Sequence, residues 1–418
     1  MRVNGGPMRV VRNLLLVYGC FTVLLFVFLG ARRPAVGLVS RRLRSGFSGE
    51  PNKSSALDVS RVSRSCKRVG VGGSGKRILV TGAAGFIGFH TAKAFFENGE
   101  GVVGFDNFND YYPVSLKRAR AEELEILGVH VVDGELTDTS LLKQVVKLCG
   151  VTHIVHLAAQ AGVRYARQEP MTYIDRNIKG SVSLFEVASW AKPSPQIIYA
   201  SSSSVYGGNK KVPFSEEDRV DDPVSLYAAT KRSVELTANV YHKLHHLSVT
   251  GLRFFTVYGP WGRPDMAYFA FTRKIMKGQP VTIFMDKTGG ELARDFTYID
   301  DIVSGIVGAV NSSQPSQEGV AENRLFNLGN TNPVTVSDFV SKLEGALRQS
   351  AIRKQVPLGN TGDVLFTHAN ISAAHGAFGY TPQVSLEEGL KLFALWFYDY
   401  YGPRGDNLRE DEKHYVPL

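Results

Sequence analysis

The feature that most constrains this chain is a glycine-rich turn between a buried strand and a helix. The β-branched run 77–81 predicts a strand, and the segment GAAGFIG at 82–88 follows it directly. A helical pattern begins at Phe86. Glycines let the backbone turn tightly and approach a pyrophosphate at a helix N-terminus, where N–H groups favour anions. The turn therefore predicts a dinucleotide site, with these cofactor-binding residues: Gly82, Gly85, Phe86, Ile87 and Gly88.

A carboxylate indicates which dinucleotide is bound. The next apolar run, 102–105, ends at Asp106, close to the spacing of about 20 residues at which an acid follows such a turn. From a strand end, this side chain can bind the adenosine ribose hydroxyls, and it would repel a 2′-phosphate. The pattern favours NAD over NADP.

Further strand-like runs indicate the fold class. They occur at 129–132, 153–157, 196–200 and 249–255, and helical stretches such as 141–148 and 178–190 separate them. This alternation predicts an α/β protein with a Rossmann-type, doubly wound parallel sheet.

Two side chains on a predicted helix form a candidate catalytic pair. Tyr227 and Lys231 are four residues apart, so they project from one face. Tyrosine, with an ordinary pKa near 10, is a poor base at neutral pH, and a neighbouring ammonium would lower that pKa. The serine cluster 201–204 follows the strand 196–200, and ligands bind beyond such strand ends. The order of glycine turn, serine cluster and Tyr-Lys pair supports a catalytic role.

The N-terminal segment predicts a membrane anchor. Residues 13–31 carry no charge, and 14–29 are almost wholly apolar. This length approaches the roughly 20 residues that cross a bilayer and exceeds the about 7–15 of a signal peptide. A retained transmembrane helix at 13–31 is therefore favoured over a cleaved signal, preceded by a tail at 1–12. Residues 32–75, rich in Arg, Ser and Gly, are interpreted as a flexible stem.

Charge does not settle the orientation of this anchor. Arginines flank both ends, and the excess after the helix leans towards a cytosolic catalytic domain. Sequons at Asn52, Asn311 and Asn370 would carry glycans only in the lumen.

Composition excludes other classes of protein. Much of the net charge of +9 lies in the first seventy-odd residues, and no nucleic-acid-binding motif is present, so no nucleic-acid partner is expected. Cys20, Cys66 and Cys149 are too few and scattered for a disulfide framework or a zinc site. They are interpreted as packing or lipid-facing residues, and no metal is expected.

Longer motifs carry a family resemblance over about residues 76–400. The segments are HLAAQAGVRY at 156–165, LRFFTVYGPWGRPDM at 252–266 and RDFTYIDD at 294–301. Together with the turn, Asp106 and the Tyr-Lys pair, they resemble the extended short-chain dehydrogenase/reductase family. Within it, they are most similar to UDP-glucuronate 4-epimerases of the membrane-anchored plant type.

The resemblance implies an organisation and a location. It implies a Rossmann NAD-binding domain at 76–260, a smaller, partly discontinuous substrate domain mainly at 261–405, and a C-terminal tail at 406–418. It also implies tightly held NAD, contacted by Ala158 and Lys231, and a homodimer. A single-pass type II Golgi membrane protein with a lumenal catalytic domain is expected, against the leaning of the arginine count.

The resemblance further implies a reaction. UDP-glucuronate would become UDP-galacturonate through a 4-keto intermediate, supplying pectin-type polysaccharide synthesis. Tyr227 would take the 4-hydroxyl proton, Lys231 would bind the nicotinamide ribose, and Ser202 would hold the 4-oxygen. Related dehydratases and decarboxylases carry an acid where this chain has Ser203 and Ser204, and its absence favours epimerisation. A UDP-glucose or UDP-pentose 4-epimerase and a non-catalytic Rossmann binding protein remain as alternatives.

The 4-keto uronate is a β-keto acid, so its carboxylate must be held out of the geometry for losing carbon dioxide. By resemblance, the residues that hold it are Ser203, Ser204, Thr256 and Arg263. A guanidinium fork suits a carboxylate because it donates two parallel hydrogen bonds. Arg164 is a second candidate. Arg294 and Asp363 match family positions that bind the UDP moiety.

Overall fold

The computed structural model describes residues 57–68, 70, 72–286, 288–359, 364–413 and 415. The strands are β1 (Arg77–Thr81), β2 (Gly101–Asp106), β3 (Val131–Asp133), β4 (His153–His156), β5 (Gln196–Ser202), β6 (Val249–Phe254), β7 (Thr256–Tyr258), β8 (Val281–Met285), β9 (Ala293–Tyr298), β10 (Asn323–Leu328), β11 (Pro333–Thr335) and β12 (Arg353–Pro357). The α-helices are α1 (Val59–Lys67), α2 (Phe86–Glu97), α3 (Val114–Leu127), α4 (Thr139–Cys149), α5 (Pro170–Tyr173), α6 (Gly180–Trp190), α7 (Leu226–His245), α8 (Ala267–Met276), α9 (Ile299–Asn311), α10 (Val336–Leu347), α11 (Ser372–Phe378), α12 (Leu386–Tyr401) and α13 (Glu410–Lys413). A π-helical turn (Ile174–Lys179) joins α5 to α6.

The largest sheet has seven parallel strands in the order β10-β6-β5-β4-β1-β2-β3. Its register aligns Thr81 of β1 with Phe105 of β2 and with His156 of β4. The strand order reverses between β1 and β4, and ligands of open α/β sheets bind beyond the carboxyl ends at such a point. The predicted doubly wound parallel sheet is confirmed.

Alternate residues of the central strands supply two apolar cores, one on each face of the sheet. In β1, Ile78 and Val80 pack into one cluster with Phe89 of α2. Leu79 packs into the other cluster with Phe185 of α6. Because successive side chains of a strand point to opposite faces, an almost continuous apolar run is what a strand covered on both faces requires.

The chain after β6 contributes to three sheets. It builds a three-stranded sheet, β11-β9-β7, and a parallel pair, β12-β8. By contrast, β10 returns to the large sheet and pairs with β6, so that Asn323 aligns with Val249 and Leu328 with Phe254. The seventh strand of the Rossmann sheet therefore comes from well beyond residue 260.

The segment before β1 packs onto the sheet domain. Helix α1 buries Val62 and Cys66. Cys66 forms a disulfide bond with Cys149, the last residue of α4, and their Cα atoms are 5.5 Å apart. A Cβ at Gly101 of β2 would lie 2.1 Å from the Cys66 carbonyl oxygen, so the helix approaches the strand more closely than any side chain permits.

Two predictions are corrected here. Residues 59–67 are not part of a flexible stem, because the apolar face of α1 joins a core cluster. The interpretation of Cys66 and Cys149 as packing residues is also wrong, although both are buried. Since 83 residues separate the two cysteines, only the tertiary structure brings them together.

The C-terminal tail predicted at 406–418 is ordered over its described part. It contains α13, in which Glu412 is buried and accepts a hydrogen bond of 2.8 Å from the Tyr401 hydroxyl. Asp411 accepts a hydrogen bond from Ser115 N at the start of α3. Residues 410–413 of the predicted tail therefore pack against the rest of the described chain.

The predicted anchor at 13–31 lies outside the described residues. Within the described ranges, no helix combines the length and apolar character needed to cross a bilayer.

Candidate active site

A cavity of about 1220 Å³ opens at the carboxyl ends of β1, β2, β4 and β5. Every predicted site residue except Asp363 lines it, and Asp363 lies outside the described residues. The predicted cofactor-binding residues lie along one part of the cavity wall, which we call the cofactor half. The residues predicted to contact the sugar form the other part, which we call the sugar half.

The glycine turn has the geometry that a dinucleotide requires. Gly82 has φ +71°, and a Cβ there would lie 2.8 Å from Ala158 N. A Cβ on Gly88 would lie only 2.0 Å from Gly82 O, so the first turn of α2 packs directly on the loop. Gly85 caps α2 and provides no side-chain cap, which leaves the first N–H groups for an anion. These residues fit the pyrophosphate of NAD.

Asp106 ends β2 with its carboxylate at the same edge. Its Oδ2 accepts a hydrogen bond of 3.0 Å from Ala84 N, and its Oδ1 accepts one of 2.9 Å from Phe108 N. These bonds to the turn and to the following loop fix the carboxylate beside the cofactor half. Each carboxylate oxygen has a further lone pair for a ribose hydroxyl.

Helix α7 carries Tyr227 and Lys231. It begins after Ser225, whose side chain accepts a hydrogen bond of 3.1 Å from Ala228 N and caps the helix. The Lys231 ammonium is buried and donates to Ala200 O at 3.0 Å. Burial lowers the pKa of Lys231 to about 8. The lysine is therefore held against the end of β5.

Three influences set the basicity of Tyr227. Burial raises its pKa, and the adjacent Ser202 hydroxyl and the charge of Arg263 lower it in part. The expected lowering of this pKa by Lys231 is not found. In the structure, Ser202 and Arg263 lower the pKa, and the Lys231 ammonium donates to Ala200 O. Tyr227 is thus a protonated phenol in this state, with neighbours that favour loss of its proton.

A buried ion pair with no signal in the sequence supports the serine cluster. Glu235 of α7 binds Arg253 of β6 through two hydrogen bonds of 2.9 and 3.0 Å. Its Oε1 also accepts a hydrogen bond of 2.6 Å from Ser201, next to Ser202. Burial opposes the ionisation of Glu235, but the bonds and charge of Arg253 hold its pKa below the usual value. Glu235 is four residues after Lys231, a spacing that gave no indication of its partner.

Two further residues near Tyr227 had no sequence signal. Tyr173 packs edge-on against Tyr227, with ring centroids 6.3 Å apart. Asn177, in the π-helical turn, donates a hydrogen bond of 3.0 Å to the Thr230 hydroxyl. Both fix the N-terminal turns of α7 from an adjacent segment.

The sugar half assembles around Tyr227 and Ser202. Ser203 and Ser204 begin the 3-10 turn after β5, Thr256 begins β7, and Arg263 lies in the loop before α8. Arg263 binds Asp265 through Nε at 3.1 Å and Nη2 at 2.9 Å. Burial opposes the charge of Arg263, but Asp265 more than offsets this effect and raises the guanidinium pKa above its usual value.

The cavity wall is strongly positive. Among its described residues, ten are Lys or Arg and three, Asp106, Glu135 and Asp265, are acidic. Arg294 belongs to this set and donates hydrogen bonds of 2.9 and 3.0 Å to Ala293 O and Leu365 O. Arg164 also lines the cavity and lies 5.0 Å from the Phe284 ring centroid. Such a wall favours a ligand with several negative charges.

Comparison with known proteins identifies the family. Residues 78–329 match the NAD dependent epimerase/dehydratase family. UDP-glucuronate 4-epimerase 2 of Arabidopsis thaliana is 55% identical over 338 residues, covering 79% of this chain and 78% of that protein. The chain belongs to the NAD dependent epimerase/dehydratase family. It is an enzyme whose cofactor is NAD, in agreement with the turn and Asp106.

Solved structures of the same family share its fold. UDP-glucuronic acid 4-epimerase from Bacillus cereus, solved with UDP-glucuronic acid and NAD, is 35% identical with a TM-score of 0.69. The match covers 76% of this chain and 98% of that chain. UDP-glucose 4-epimerase from Thermotoga maritima, solved with UDP-glucose, is 30% identical with a TM-score of 0.65, covering 77% and 98%.

Proposed function

We propose that this family member is an NAD-dependent UDP-glucuronate 4-epimerase that forms UDP-galacturonate. The observation that carries the proposal is the sugar half, where Tyr227 and Ser202 lie beside a carboxylate-binding arginine, Arg263. Ser203 and Ser204 stand where a dehydratase or decarboxylase would need an acid. The similarity to UDP-glucuronate 4-epimerases of Arabidopsis thaliana supports the same reaction.

Tyr227 acts as the base. Its phenol takes the proton of the sugar 4-hydroxyl and later returns a proton to the 4-oxygen. Ser202 donates to the same oxygen, and the hydroxyl also lowers the pKa of Tyr227 from the value that burial imposes. Lys231, positioned by Ala200 O, binds the nicotinamide ribose.

NAD supplies hydride transfer, accepting the C4 hydride and giving it back to the other face of the sugar. The chain's own residues must let the 4-keto ring turn between these steps while the UDP stays bound. Arg294, fixed by Ala293 O and Leu365 O, binds the UDP, and Asp363 is the second proposed contact. No external reductant is consumed.

The sugar carboxylate needs a separate binding site. We assign it to the hydroxyls of Ser203, Ser204 and Thr256 and to the guanidinium of Arg263, all of which line the sugar half. When the carboxylate is bound there, the bond that joins it to C5 is kept out of alignment with the C4 carbonyl. The positive wall compensates the charge that this group adds to the diphosphate.

Product analysis tests the reaction. Purified protein is incubated with UDP-glucuronate and, separately, with UDP-glucose, and the nucleotide sugars are separated by ion-exchange chromatography. UDP-galacturonate from the first substrate is expected. UDP-xylose as the main product, or turnover of UDP-glucose alone, would refute the proposal. No turnover despite bound NAD would favour a non-catalytic binding protein.

We also propose a homodimer. Leu236, Val240 and Leu244 lie at i, i+4 and i+8 on α7 and are 52%, 48% and 69% exposed. Such a stripe on one helix face is costly in water and suits the same face of a second copy.

Light scattering tests the dimer. Glutamate at both Leu236 and Leu244 is expected to convert a dimer to a monomer at micromolar concentration. Leu395→Glu is a matched control, because Leu395 is 61% exposed on α12. A wild-type monomer, or an unchanged mass in the double variant, would contradict the proposal.

We propose a Golgi location with the catalytic domain in the lumen, anchored as a single-pass type II protein. The Cys66–Cys149 disulfide supports an oxidising compartment. Of the sequons, Asn311 is exposed at the end of α9, whereas the side chain of Asn370 is half-buried and accepts a hydrogen bond from Ser372 N.

Protease protection in sealed Golgi vesicles tests the orientation. The catalytic domain is expected to survive added protease until detergent is present. A glycosidase that removes N-glycans is expected to increase the gel mobility of the wild type. Digestion without detergent would place the domain in the cytosol.

A further inference from the structure

Asp265 lines the cavity beside Arg263 and has no role in the reaction described above. It binds one edge of the Arg263 guanidinium, the edge formed by Nε and Nη2. Arg263 and Asp265 side chains are only 20% and 12% exposed, so this pair is shielded from water. Arg263 Nη2 also lies 3.4 Å from Met266 Sδ, so among the described residues Nη1 is the guanidinium nitrogen that remains for a carboxylate.

Asp265 is itself fixed by a residue of the Rossmann domain. The Tyr111 hydroxyl donates a hydrogen bond of 3.0 Å to Asp265 Oδ2. Burial and the Asp265 charge raise the pKa of Tyr111 well above its usual value, so the phenol keeps its proton and donates. A Cβ at Gly162, which has φ +99°, would lie 2.2 Å from the Tyr111 hydroxyl oxygen. Only glycine there lets Tyr111 reach Asp265.

The backbone before Arg263 is fixed from the same domain. Arg120 of α3 is fully buried and donates through Nη2 to Trp261 O at 2.7 Å and to Gly262 O at 3.2 Å. The loop before α8 is therefore attached to the Rossmann domain both through its backbone and through Asp265. The orientation of Arg263 is set by both.

We propose that Asp265, held by Tyr111, is a positioning residue that keeps Arg263 aimed at the sugar carboxylate and so protects the 4-keto intermediate from decarboxylation. The inference rests on the proposed epimerase function. Asp265 carries a negative charge close to an anionic substrate, which weakens binding. Because Asp265 pairs side-on with the guanidinium, it keeps Arg263 in a single orientation with Nη1 available to the substrate carboxylate.

The reaction to be suppressed is defined by the substrate. In the 4-keto uronate, the bond between C5 and C6 breaks, C6 leaves as carbon dioxide, and the electron pair forms an enolate between C4 and C5. A proton then adds to C5. This cleavage needs the breaking bond parallel to the π orbitals of the C4 carbonyl. A carboxylate held in one orientation prevents that alignment, whereas a mobile arginine permits it.

Two substitutions loosen the arginine without removing it. Asp265→Asn removes the charge of the pair, and Tyr111→Phe removes only the hydroxyl that holds Asp265. UDP-glucuronate carrying ¹⁴C at C6 is the probe, and released carbon dioxide and UDP-galacturonate are measured together. The ratio of carbon dioxide to UDP-galacturonate is expected to rise roughly tenfold in each variant, as for the loss of one charge-assisted hydrogen bond.

Asp221→Asn is a matched control. Asp221 pairs with Arg219 at the same spacing, with Arg219 Nε 3.2 Å from Asp221 Oδ1, but on an exposed loop outside the cavity. Its product ratio is expected to stay at the wild-type value. Affinity for UDP, which has no carboxylate, is measured by calorimetry and is expected to change less than about twofold in every variant.

Several results would overturn the inference. Equal losses of both products in Asp265→Asn and Tyr111→Phe, with an unchanged ratio, would show a structural role only. An unchanged ratio at full activity would show that Asp265 does not orient Arg263. Failure of the wild type to form UDP-galacturonate would instead refute the proposed function, so the two failures are distinguishable.

Discussion

The two halves of the cavity are built in different ways. In the cofactor half, consecutive backbone groups of the turn at 82–88 form most of the binding site, and one carboxylate, Asp106, lies nearby. In the sugar half, side chains from distant segments meet, and the Tyr111–Asp265 bond spans 154 residues. A backbone site is determined locally and tolerates no added atoms. A side-chain site depends on tertiary packing, so a substitution there can remove one function and leave the others intact.

The largest effect is expected from the sugar half. Tyr227→Phe removes the base and should lower kcat by about 1000-fold, within the range of general acid–base catalysis. NAD should stay bound, because the turn at 82–88 is untouched. Turnover and the NAD content of the purified protein are measured together. Tyr398→Phe, on α12 outside the cavity, is the control with unchanged kcat. Loss of NAD with Tyr227→Phe would show that the halves are not separable.

A methyl group should damage the cofactor half more broadly. Gly88→Ala places a Cβ 2.0 Å from Gly82 O, so the turn must shift, at a cost of about 3 kcal/mol in unfolding free energy. NAD should be lost as well. Gly345→Ala is the matched control: it lies in α10 with nothing within 4 Å of an added Cβ and should stabilise the protein by about 1 kcal/mol. The free energy of unfolding is measured by urea denaturation, together with the NAD content of each purified variant. Retained NAD in Gly88→Ala would contradict the prediction.

A third substitution, outside both halves, separates stability from function. Cys66→Ser breaks the disulfide and should lower the unfolding free energy by about 2 kcal/mol. The KM for UDP-glucuronate should not change, because neither cysteine lines the cavity. Thermal unfolding and steady-state kinetics are the measurements. A large change in KM would show that α1 influences the site.

The smallest expected effect is a shift in pH dependence. Ser202 lowers the pKa of Tyr227, so Ser202→Ala should raise that pKa. The base must lose its proton to act, and the acid limb of the kcat profile should therefore move to higher pH. Ser189→Ala, at a half-buried serine of α6 outside the cavity, is the control. A shift to lower pH would show that Ser202 does not favour the phenolate.

The difference between a site built from local backbone and one built from distant side chains explains which features the sequence could predict. The bounds of β1 and the end of β2 at Asp106 agree with the predictions, because a short apolar run predicts a buried parallel strand. The placement of Gly82 and Gly88 follows from local backbone geometry. Tyr227 and Lys231 do lie on one helix facing the cavity.

Contacts between distant segments could not be predicted in this way. The Glu235–Arg253 pair and the Tyr111–Asp265 bond depend on which loops meet, and no spacing along the chain records that. The pairing of Cys66 was missed for the same reason. Interpreting 32–75 as one stem failed because the polar composition of the segment concealed the short apolar face of α1.

The position of β10 has a consequence for how the protein is made. During synthesis, β6 is complete at residue 254, but the strand that covers its outer edge ends at residue 328. Until then, a growing chain exposes the backbone donors and acceptors of β6 as a bare sheet edge, a template for wrong pairing. A fragment cut at residue 260 would keep that edge permanently. We therefore expect the nascent enzyme to need protection from aggregation over about seventy residues of elongation.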